Sequence, residues 1–379
     1  MPRAVMHNKR TPVLDLEVED CKVTKIYDCM NVPYLPLNLQ REATPETLTA
    51  WLEKRRIPNG REGLRQARKN FPGFETYRNM FSLTDQYWFK YDPDENWDRL
   101  NFFTNRYSDD IGRMFFCPWD VELDTVFRES PDLMTNGALR KRWKQGKDKK
   151  SFLIKAGSKQ LNQEPISEVL ATMLLRKLDV IPFVEYELVV EGMRLCSKCM
   201  NFVDENTEFV PAIHLFQTQP RRRNESVYFH LLKMCDLYGI EGAKEFIDCM
   251  IAIDRILGNE DRHLGNFGFI RDVKTLKILG FAPLFDCGYA FADNTGEPRT
   301  PLFEGQGEAA LMSILPRIDM HSFMDHRDMF ELIKVYPEIN NQQREVIQGK
   351  ILHAEEEISR LKRTRTRAVS EKNRLCVSR

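Results

Sequence analysis

The alternation of apolar and polar positions predicts strands and helices in succession through the middle of the chain. Residues 152–154 are apolar and favour a strand that continues into Lys155. Residues 168–178 are rich in helix-forming residues and predict a helix that begins with Glu168. Residues 183–190 then alternate apolar with polar positions, as a half-buried strand does. The pattern therefore predicts a strand, a helix and a second strand, with a charged residue on each of the first two elements.

The regions on either side of this segment have different patterns. Residues 228–257 carry apolar positions mostly three and four apart, which predicts an amphipathic helix. Beyond residue 312 the pattern is again mostly helical. The first 120 residues instead combine short apolar runs with dense groups of aromatic residues, which we expect to fill a core.

Composition places these patterns in an ordinary globular protein. Of 379 residues, 42% are hydrophobic and 30% are charged. No apolar run approaches the roughly 18–20 residues that span a bilayer, and the first ten residues have no apolar signal-peptide core. The nine cysteines are an odd number scattered along the chain, which favours free thiols over a disulfide scaffold. We therefore expect a cytoplasmic protein without a membrane partner.

Charge is balanced over the whole chain but concentrated locally. The 56 basic residues equal the 56 acidic ones, which argues against a protein that covers nucleic acid with its whole surface. Seven of the eleven residues at 140–150 are basic, and they form either a solvated hairpin or a basic rim over an anionic ligand. Residues 360–379 hold eight basic residues and one acidic residue, which predicts a solvated tail. Binding to nucleic acid is not directly indicated.

Three polar residues have a spacing that suits phosphoryl transfer. Asp261 and Asn266 lie five residues apart in a polar stretch, and Asp286 follows a later apolar run, two residues before Gly288. Phosphoryl transfer uses one carboxylate at the attacking hydroxyl and further oxygen donors on magnesium. The spacing is that of a kinase catalytic loop followed by a metal-binding aspartate. Because aspartate and asparagine also favour turns, a capped turn is the alternative interpretation.

Lys155 and Glu168 lie upstream of these residues, in the order that a kinase has them. A lysine in a buried strand is costly unless it is paired, and the helix that follows supplies Glu168 as the partner. In kinases such a lysine neutralises phosphate charge, and the glutamate positions the lysine. The order of all five residues is more specific than any one of them.

The motif around Asp261 resembles that of a known family. Residues 259–266, Asn-Glu-Asp-Arg-His-Leu-Gly-Asn, resemble the catalytic loop of HipA-like kinases, and their Asp-Arg-His-x-x-Asn core is also similar to that of phosphatidylinositol kinases. Residues 283–286, Pro-Leu-Phe-Asp, resemble the HipA-type stretch that supplies the second metal ligand. Residues 151–155 resemble the strand that bears the nucleotide lysine.

This resemblance implies a role for each matched residue. Asp261 would be the catalytic base or would orient the acceptor hydroxyl, and His263 would brace the catalytic loop. Asn266 and Asp286 would bind Mg²⁺. Lys155 would contact the phosphates of ATP.

The resemblance also implies the fold. We expect an α+β, two-lobed protein-kinase-like (HipA-like) fold with an additional N-terminal α/β region. Its parts are an aromatic-rich accessory region, a kinase N-lobe, a mainly helical C-lobe and a basic C-terminal tail, at residues 1–125, 126–210, 211–360 and 361–379.

One departure from the kinase pattern concerns the loop that covers the phosphates. No Gly-x-Gly-x-x-Gly sequence precedes Lys155. Thr135-Asn136-Gly137 is the best candidate for this turn, so we expect Asn136 and Gly137 to contact the nucleotide, with an ordinary turn as the alternative. A chain that lacks such a loop would bind nucleotide without transferring phosphate.

The function implied is a Mg²⁺-dependent Ser/Thr protein kinase that transfers the γ-phosphoryl of ATP to a protein hydroxyl and that phosphorylates itself. The alternatives are a lipid or small-molecule kinase and a non-catalytic nucleotide-binding or interaction module. HipA relatives often act with a DNA-binding antitoxin, so the expected partners are ATP, a protein substrate and an antitoxin-like protein. Cys287, beside Asp286, is expected to be an exposed thiol near the metal.

Overall fold

The computed structural model describes residues 2–121, 130–160, 162–292 and 302–377. Its strands form three antiparallel sheets within these ranges. The first sheet belongs to the accessory region, the second carries the strand with Lys155, and the third lies beside residues 259–266. No helix among the described residues is long and apolar enough to cross a membrane.

The accessory region is a four-stranded sheet covered by helices. Its strands, in the spatial order β3-β2-β1-β4, are β1 (Arg3–Asn8), β2 (Thr11–Glu19), β3 (Lys22–Cys29) and β4 (Tyr87–Lys90). Alternate residues of β2 are buried, as the period of a strand requires. The helices are α1 (Pro45–Arg55), α2 (Leu64–Asn70), α3 (Trp97–Leu100) and α4 (Asp110–Phe116).

The aromatic groups of this region fill a core, as the sequence predicts. Phe81 stacks on Trp88 with the ring centroids 5.2 Å apart, and Trp97 and Phe102 pack against Phe81. All four side chains are buried. A second apolar cluster joins the accessory helices to Ile154 and other residues of the next sheet, so the two regions share one core.

The second sheet has the spatial order β5-β6-β8-β7. Its elements are β5 (Lys141–Gln145), β6 (Ser151–Ala156), α5 (Glu164–Leu178), β7 (Tyr186–Glu191) and β8 (Arg194–Met200). The predicted strand, helix and strand are all present. The helix, however, begins at Glu164 and not at Glu168, because Pro165 is accommodated in the first turn.

The remaining chain is mainly helical and carries the third sheet, of order β11-β10-β9. The strands and helices are β9 (Thr207–Pro211), α6 (Ala212–Phe216), α7 (Val227–Leu237), α8 (Ala243–Leu257), β10 (Gly268–Asp272), β11 (Ile278–Phe281), α9 (Gly307–Ile314), α10 (Met320–Phe323), α11 (Arg327–Val335) and α12 (Asn341–Val377). The helix predicted over 228–257 is in fact two helices, because Gly239 and Gly242 have positive φ angles of 64° and 66° between them.

The first basic segment is partly a strand and partly an exposed connection. Residues 141–145 form strand β5, whose Arg142 is buried and bonds to Glu191 at 2.5 Å. Residues 147–150 are exposed and lie in the hairpin connection to β6. The second basic segment continues helix α12 as far as Val377.

A buried polar network joins the accessory sheet to the third sheet. Arg271 lies 2.6 Å from Glu208, and both side chains are almost fully buried. Arg271 also donates to the Tyr87 hydroxyl at 2.8 Å, and Asn8 donates to Glu208 at 3.3 Å. Because Tyr87 and Asn8 belong to the accessory sheet, this network fixes the position of that sheet against the third sheet.

Candidate active site

Lys155 lies at the centre of the candidate site. Its Nζ donates to Glu168 Oε1 and, at 2.8 Å, to Asp286 Oδ1. Lys155 and Glu168 are 6% and 1% exposed. Strand β6 and helix α5 thus bring together the lysine and the glutamate, and the segment after β11 adds the aspartate.

The ion pairs determine the charge state of this cluster. Burial by itself would lower the pKa of Lys155, but attraction by Asp286 and Glu168 outweighs it and raises that pKa well above its usual value. Burial opposes ionisation of Asp286, yet attraction by Lys155 and Lys141 lowers the pKa of that carboxyl below its usual range. Lys155 is therefore cationic and Asp286 anionic at neutral pH.

The segment that carries Asp286 is held by backbone contacts. Cys287 N donates to Glu168 Oε2 at 2.9 Å, which ties the segment to helix α5. Leu284 forms a parallel bridge with Phe183, in which Val184 N donates to Leu284 O at 2.8 Å. Asp286 itself has a φ of 61°, an uncommon conformation for a residue with a side chain. These contacts direct its carboxylate at Lys155.

The residues predicted as a catalytic loop follow helix α8. Asp261 is partly exposed, and its backbone oxygen accepts a hydrogen bond from Asn266 Nδ2 at 3.2 Å. Asn266 is buried beneath it. The amide nitrogen of Asn266 is thus used inside the loop, which orients its Oδ1 for another ligand.

Arg262 connects this loop to the Asp286 segment, a role that the sequence argument missed. Its guanidinium makes two 2.9 Å hydrogen bonds to Asp254 at the end of helix α8. The same group donates to Asn266 O at 2.8 Å and to Phe285 O at 2.7 Å. The sequence signal for Arg262 was its place inside the Asp-Arg-His motif. Its carbonyl partners cannot be predicted from residue spacing.

His263 lies on the exposed side of the loop. Its Nδ1 accepts a hydrogen bond from Gly265 N at 3.0 Å. Burial of part of the ring lowers its pKa, which favours the neutral form. The hydrogen bond restrains the loop locally, between residues 263 and 265.

Asn136 and Gly137 form a turn that has Lys141 beside it. Gly137 has a φ of 106°, and Asn136 Oδ1 accepts a hydrogen bond from its amide at 2.7 Å. A Cβ atom on residue 137 would lie 2.1 Å from Lys141 Nζ. Glycine is therefore favoured here by the backbone conformation, and a larger residue would also displace the end of the Lys141 side chain.

Lys141 is a second lysine of the site that sequence reasoning did not single out. It pairs directly with Lys155 across strands β5 and β6, so the two side chains extend from the same face of the sheet. Burial, followed by repulsion from Arg61 and Lys155, lowers the pKa of Lys141 to about 7. The basic run at 140–150 was the only signal, and it could not show which lysine faces the site.

The donor set fits a magnesium ion that is shared with phosphates. Asn266 supplies an amide oxygen and Asp286 a carboxylate, and both are hard oxygen donors. Magnesium is usually held by one or two carboxylates plus substrate phosphates. The described residues contain no group of three or more His, Cys, Asp or Glu that could hold a metal ion.

The expectation of an exposed Cys287 thiol is wrong. The side chain is 3% exposed, and burial raises its pKa to about 12. Arg262 Nη2 lies 3.5 Å from its sulfur. The residue packs beneath the site because its backbone amide must reach Glu168.

Comparison with known proteins finds similarity in structure only. No family model matches the chain, and no curated protein matches its sequence. HipA of Shewanella oneidensis MR-1, solved with HipB and operator DNA, is similar with a TM-score of 0.56 and 13% identity, over 94% of this chain and 97% of that chain. The Helicobacter pylori proinflammatory kinase CtkA is similar with a TM-score of 0.47 and 19% identity, over 61% of this chain and 95% of that chain.

The similarity to HipA extends over nearly the whole of both chains, so it includes the accessory region as well as the two lobes. The predicted two-lobed α+β fold with an additional N-terminal region is therefore confirmed. At 13% identity this likeness establishes the fold, and the chemistry has to be argued from the residues.

Proposed function

We propose that this chain is a kinase that transfers the γ-phosphoryl of ATP to a serine or threonine hydroxyl of a protein, in the cytoplasm. One observation carries the proposal: Lys155 bonds to both Glu168 and Asp286, while Arg262 ties the Asp261 loop to the same segment. The five residues that phosphoryl transfer needs thus belong to one connected cluster.

Each residue has a distinct task under this proposal. Lys155 neutralises phosphate charge and is held in place by Glu168. Lys141 and the Asn136–Gly137 turn face phosphate groups of the nucleotide other than the one that Lys155 contacts. Asp261 orients the acceptor hydroxyl and accepts its proton. Most of the rate enhancement then comes from positioning and from charge stabilisation.

Asn266 and Asp286 would hold Mg²⁺, which, when bound, neutralises negative charge on the phosphates. Asp286 is already anionic because of its two lysine neighbours, so it is ready to bind a cation at neutral pH. Arg262 fixes the backbone on both sides of this pair through Asn266 O and Phe285 O.

The acceptor is tested with γ-labelled ATP and magnesium. The chain is incubated alone, with a protein mixture and with a lipid mixture, and the products are separated by gel and by thin-layer chromatography. Label in protein supports the proposal, and label in the chain itself shows autophosphorylation. Label in lipid alone would establish the lipid-kinase alternative, and no label with any acceptor would favour a non-catalytic nucleotide-binding module.

We predict that Asp286→Ala abolishes the magnesium dependence of ATP binding. The variant removes a carboxylate ligand, and the affinity that magnesium adds is expected to fall at least about tenfold, as is typical of lost metal-site interactions. Calorimetric titration of ATP with and without magnesium measures this. Asp261→Ala is the control and should largely retain magnesium-dependent binding. The reverse result would mean that the two roles are exchanged.

We further propose that an antitoxin-like protein binds this chain. The proposal rests on the fold shared with HipA, which in the solved complex is assembled with HipB and operator DNA. Purification of the tagged chain from its own cells, followed by identification of stoichiometric partners, tests it. Recovery of the chain alone at physiological salt would contradict this proposal without affecting the kinase proposal.

A further inference from the structure

The accessory region contacts the turn that we assign to the phosphates. Ile57 N donates to Leu133 O at 3.0 Å, and Glu62 N donates to Ala138 O at 2.8 Å. The segment 57–62, which we call the bracing loop, therefore runs along residues 133–138 on the side of the turn that faces the accessory sheet. It joins helices α1 and α2.

Arg61 makes the central contact of the bracing loop. Its Nε donates to Gly137 O at 2.5 Å and its Nη2 donates to Thr135 O at 2.5 Å. The residue is 3% exposed. Burial lowers its pKa to about 10, so the guanidinium remains charged at neutral pH. A buried arginine that bonds two carbonyls of one turn, two residues apart, fixes the orientation of the peptide groups that carry them.

This orientation leaves amide groups for a ligand. In a trans peptide the N–H of the next residue points opposite to the carbonyl. Because the carbonyls of Thr135 and Gly137 point at Arg61, the N–H groups of Asn136 and Ala138 point away from it. Neither N–H has a hydrogen-bond partner within the described parts of the chain. Backbone N–H groups presented together in a turn favour anions.

A second contact of the bracing loop reaches the segment that follows strand β6, the strand that carries Lys155. Glu62 Oε1 accepts a hydrogen bond from Lys159 N at 2.9 Å. Strands β5 and β6 are antiparallel, so the turn before Lys141 and the turn after Lys155 lie at the same end of the hairpin. The bracing loop therefore contacts the chain on both sides of the two lysines.

We infer that Arg61 is a positioning residue for nucleotide binding, and that the accessory region is in this way a structural part of the phosphate site. This inference rests on the proposed function. Arg61 does not touch the nucleotide. Its hydrogen bonds direct the carbonyls of Thr135 and Gly137 toward Arg61. The amides of Asn136 and Ala138 and the side chain of Lys141 then face the phosphates.

The test compares ATP with adenosine, which lacks the phosphates. Calorimetry with magnesium measures the affinity of the full chain for both ligands in wild type, Arg61→Ala and Arg61→Lys. Loss of two hydrogen bonds to a charged group should weaken ATP binding of Arg61→Ala about tenfold or more, with the affinity for adenosine unchanged. Arg61→Lys retains the charge but cannot bridge two carbonyls, so its ATP affinity should be intermediate.

A matched control and two further outcomes complete the design. Arg65→Ala removes an exposed arginine of the neighbouring helix α2 and should bind both ligands like wild type. An equal loss of ATP and adenosine affinity, or no loss of either in a folded variant, would overturn the inference. If Arg61→Ala does not fold, Arg61→Lys decides by the same criterion.

Failure of the two proposals is distinguishable. A wild-type chain that binds no ATP refutes the proposed function, and the inference falls with it. If wild type binds ATP and the folded Arg61 variants bind it as tightly, the inference alone is refuted. Hydrogen exchange of the Ile57 and Glu62 amides, which donate to Leu133 O and Ala138 O, gives an independent readout, since both should exchange faster in Arg61→Ala and at the wild-type rate in Arg65→Ala.

Discussion

Replacing Asp261 by asparagine is expected to reduce phosphoryl transfer by about a thousandfold, because general acid–base catalysis contributes about 10²- to 10⁴-fold. Asparagine has the same shape but cannot accept the proton of the acceptor hydroxyl. The hydrogen bond from Asn266 ends on the backbone oxygen of residue 261, so the loop should keep its geometry. Single-turnover transfer of label from γ-labelled ATP measures the loss, and calorimetry should show unchanged ATP affinity.

The adjacent carboxylate provides the control for this prediction. Glu260→Gln removes one negative charge from the same loop, at a partly exposed side chain to which no catalytic role is assigned, and should leave the rate within about twofold of wild type. If Asp261→Asn retained more than a tenth of the activity, Asp261 would be only a turn residue.

Arg271→Met is expected to destabilise the folded chain by about 3–5 kcal/mol, the usual cost of removing one partner of a buried ion pair. The substitution leaves the buried carboxylate of Glu208 uncompensated. It also removes a hydrogen bond to the hydroxyl of Tyr87, at the junction of the accessory sheet with the third sheet. Urea unfolding followed by fluorescence measures the change.

Two controls separate this effect from a general loss of charge. The double variant Arg271→Met/Glu208→Gln removes both charges and should recover part of the stability, since no unpaired ion remains buried. Arg327→Met breaks an exposed pair with Asp325 and should cost less than about 1 kcal/mol. An Arg271→Met chain as stable as wild type would show that the two sheets are not held by this network.

The sequence predicted the parts of the site that depend on chain order. Lys155, Glu168 and Asp286 were assigned from their neighbours and their order, and they lie in direct contact. Such residues are found because each lies in or directly after an apolar segment whose type the pattern predicts. Their roles as nucleotide, metal and catalytic residues stay predictions until the experiments above are done.

The contacts that position the site residues could not be predicted from chain order. Lys141 faces the site only because of its register with Lys155, and neighbouring residues of strand β5 face elsewhere. Arg61 reaches Gly137 from 76 positions away. Arg262 bonds mainly to carboxylate and carbonyl oxygens, and carbonyls carry no sequence signal. Long-range and backbone contacts of this kind depend on the tertiary fold.

The errors in the predicted elements have local causes. Apolar periodicity continues through residues 228–257, but two glycines with positive φ divide the helix. Cys287 was expected to be exposed because it follows a metal-binding aspartate. In a conformation with positive φ at Asp286, the next residue instead turns its amide to Glu168 and its side chain inward.

The bridge between Phe183 and Leu284 couples the two lobes beside the candidate site. It fastens the segment that bears Asp286 to the lobe that bears Lys155, through Val184 N and Leu284 O at 2.8 Å. Swinging the lobes apart at this point would break the backbone bridge and the Lys155–Asp286 ion pair together. We therefore expect the two lobes to move as one body near Asp286.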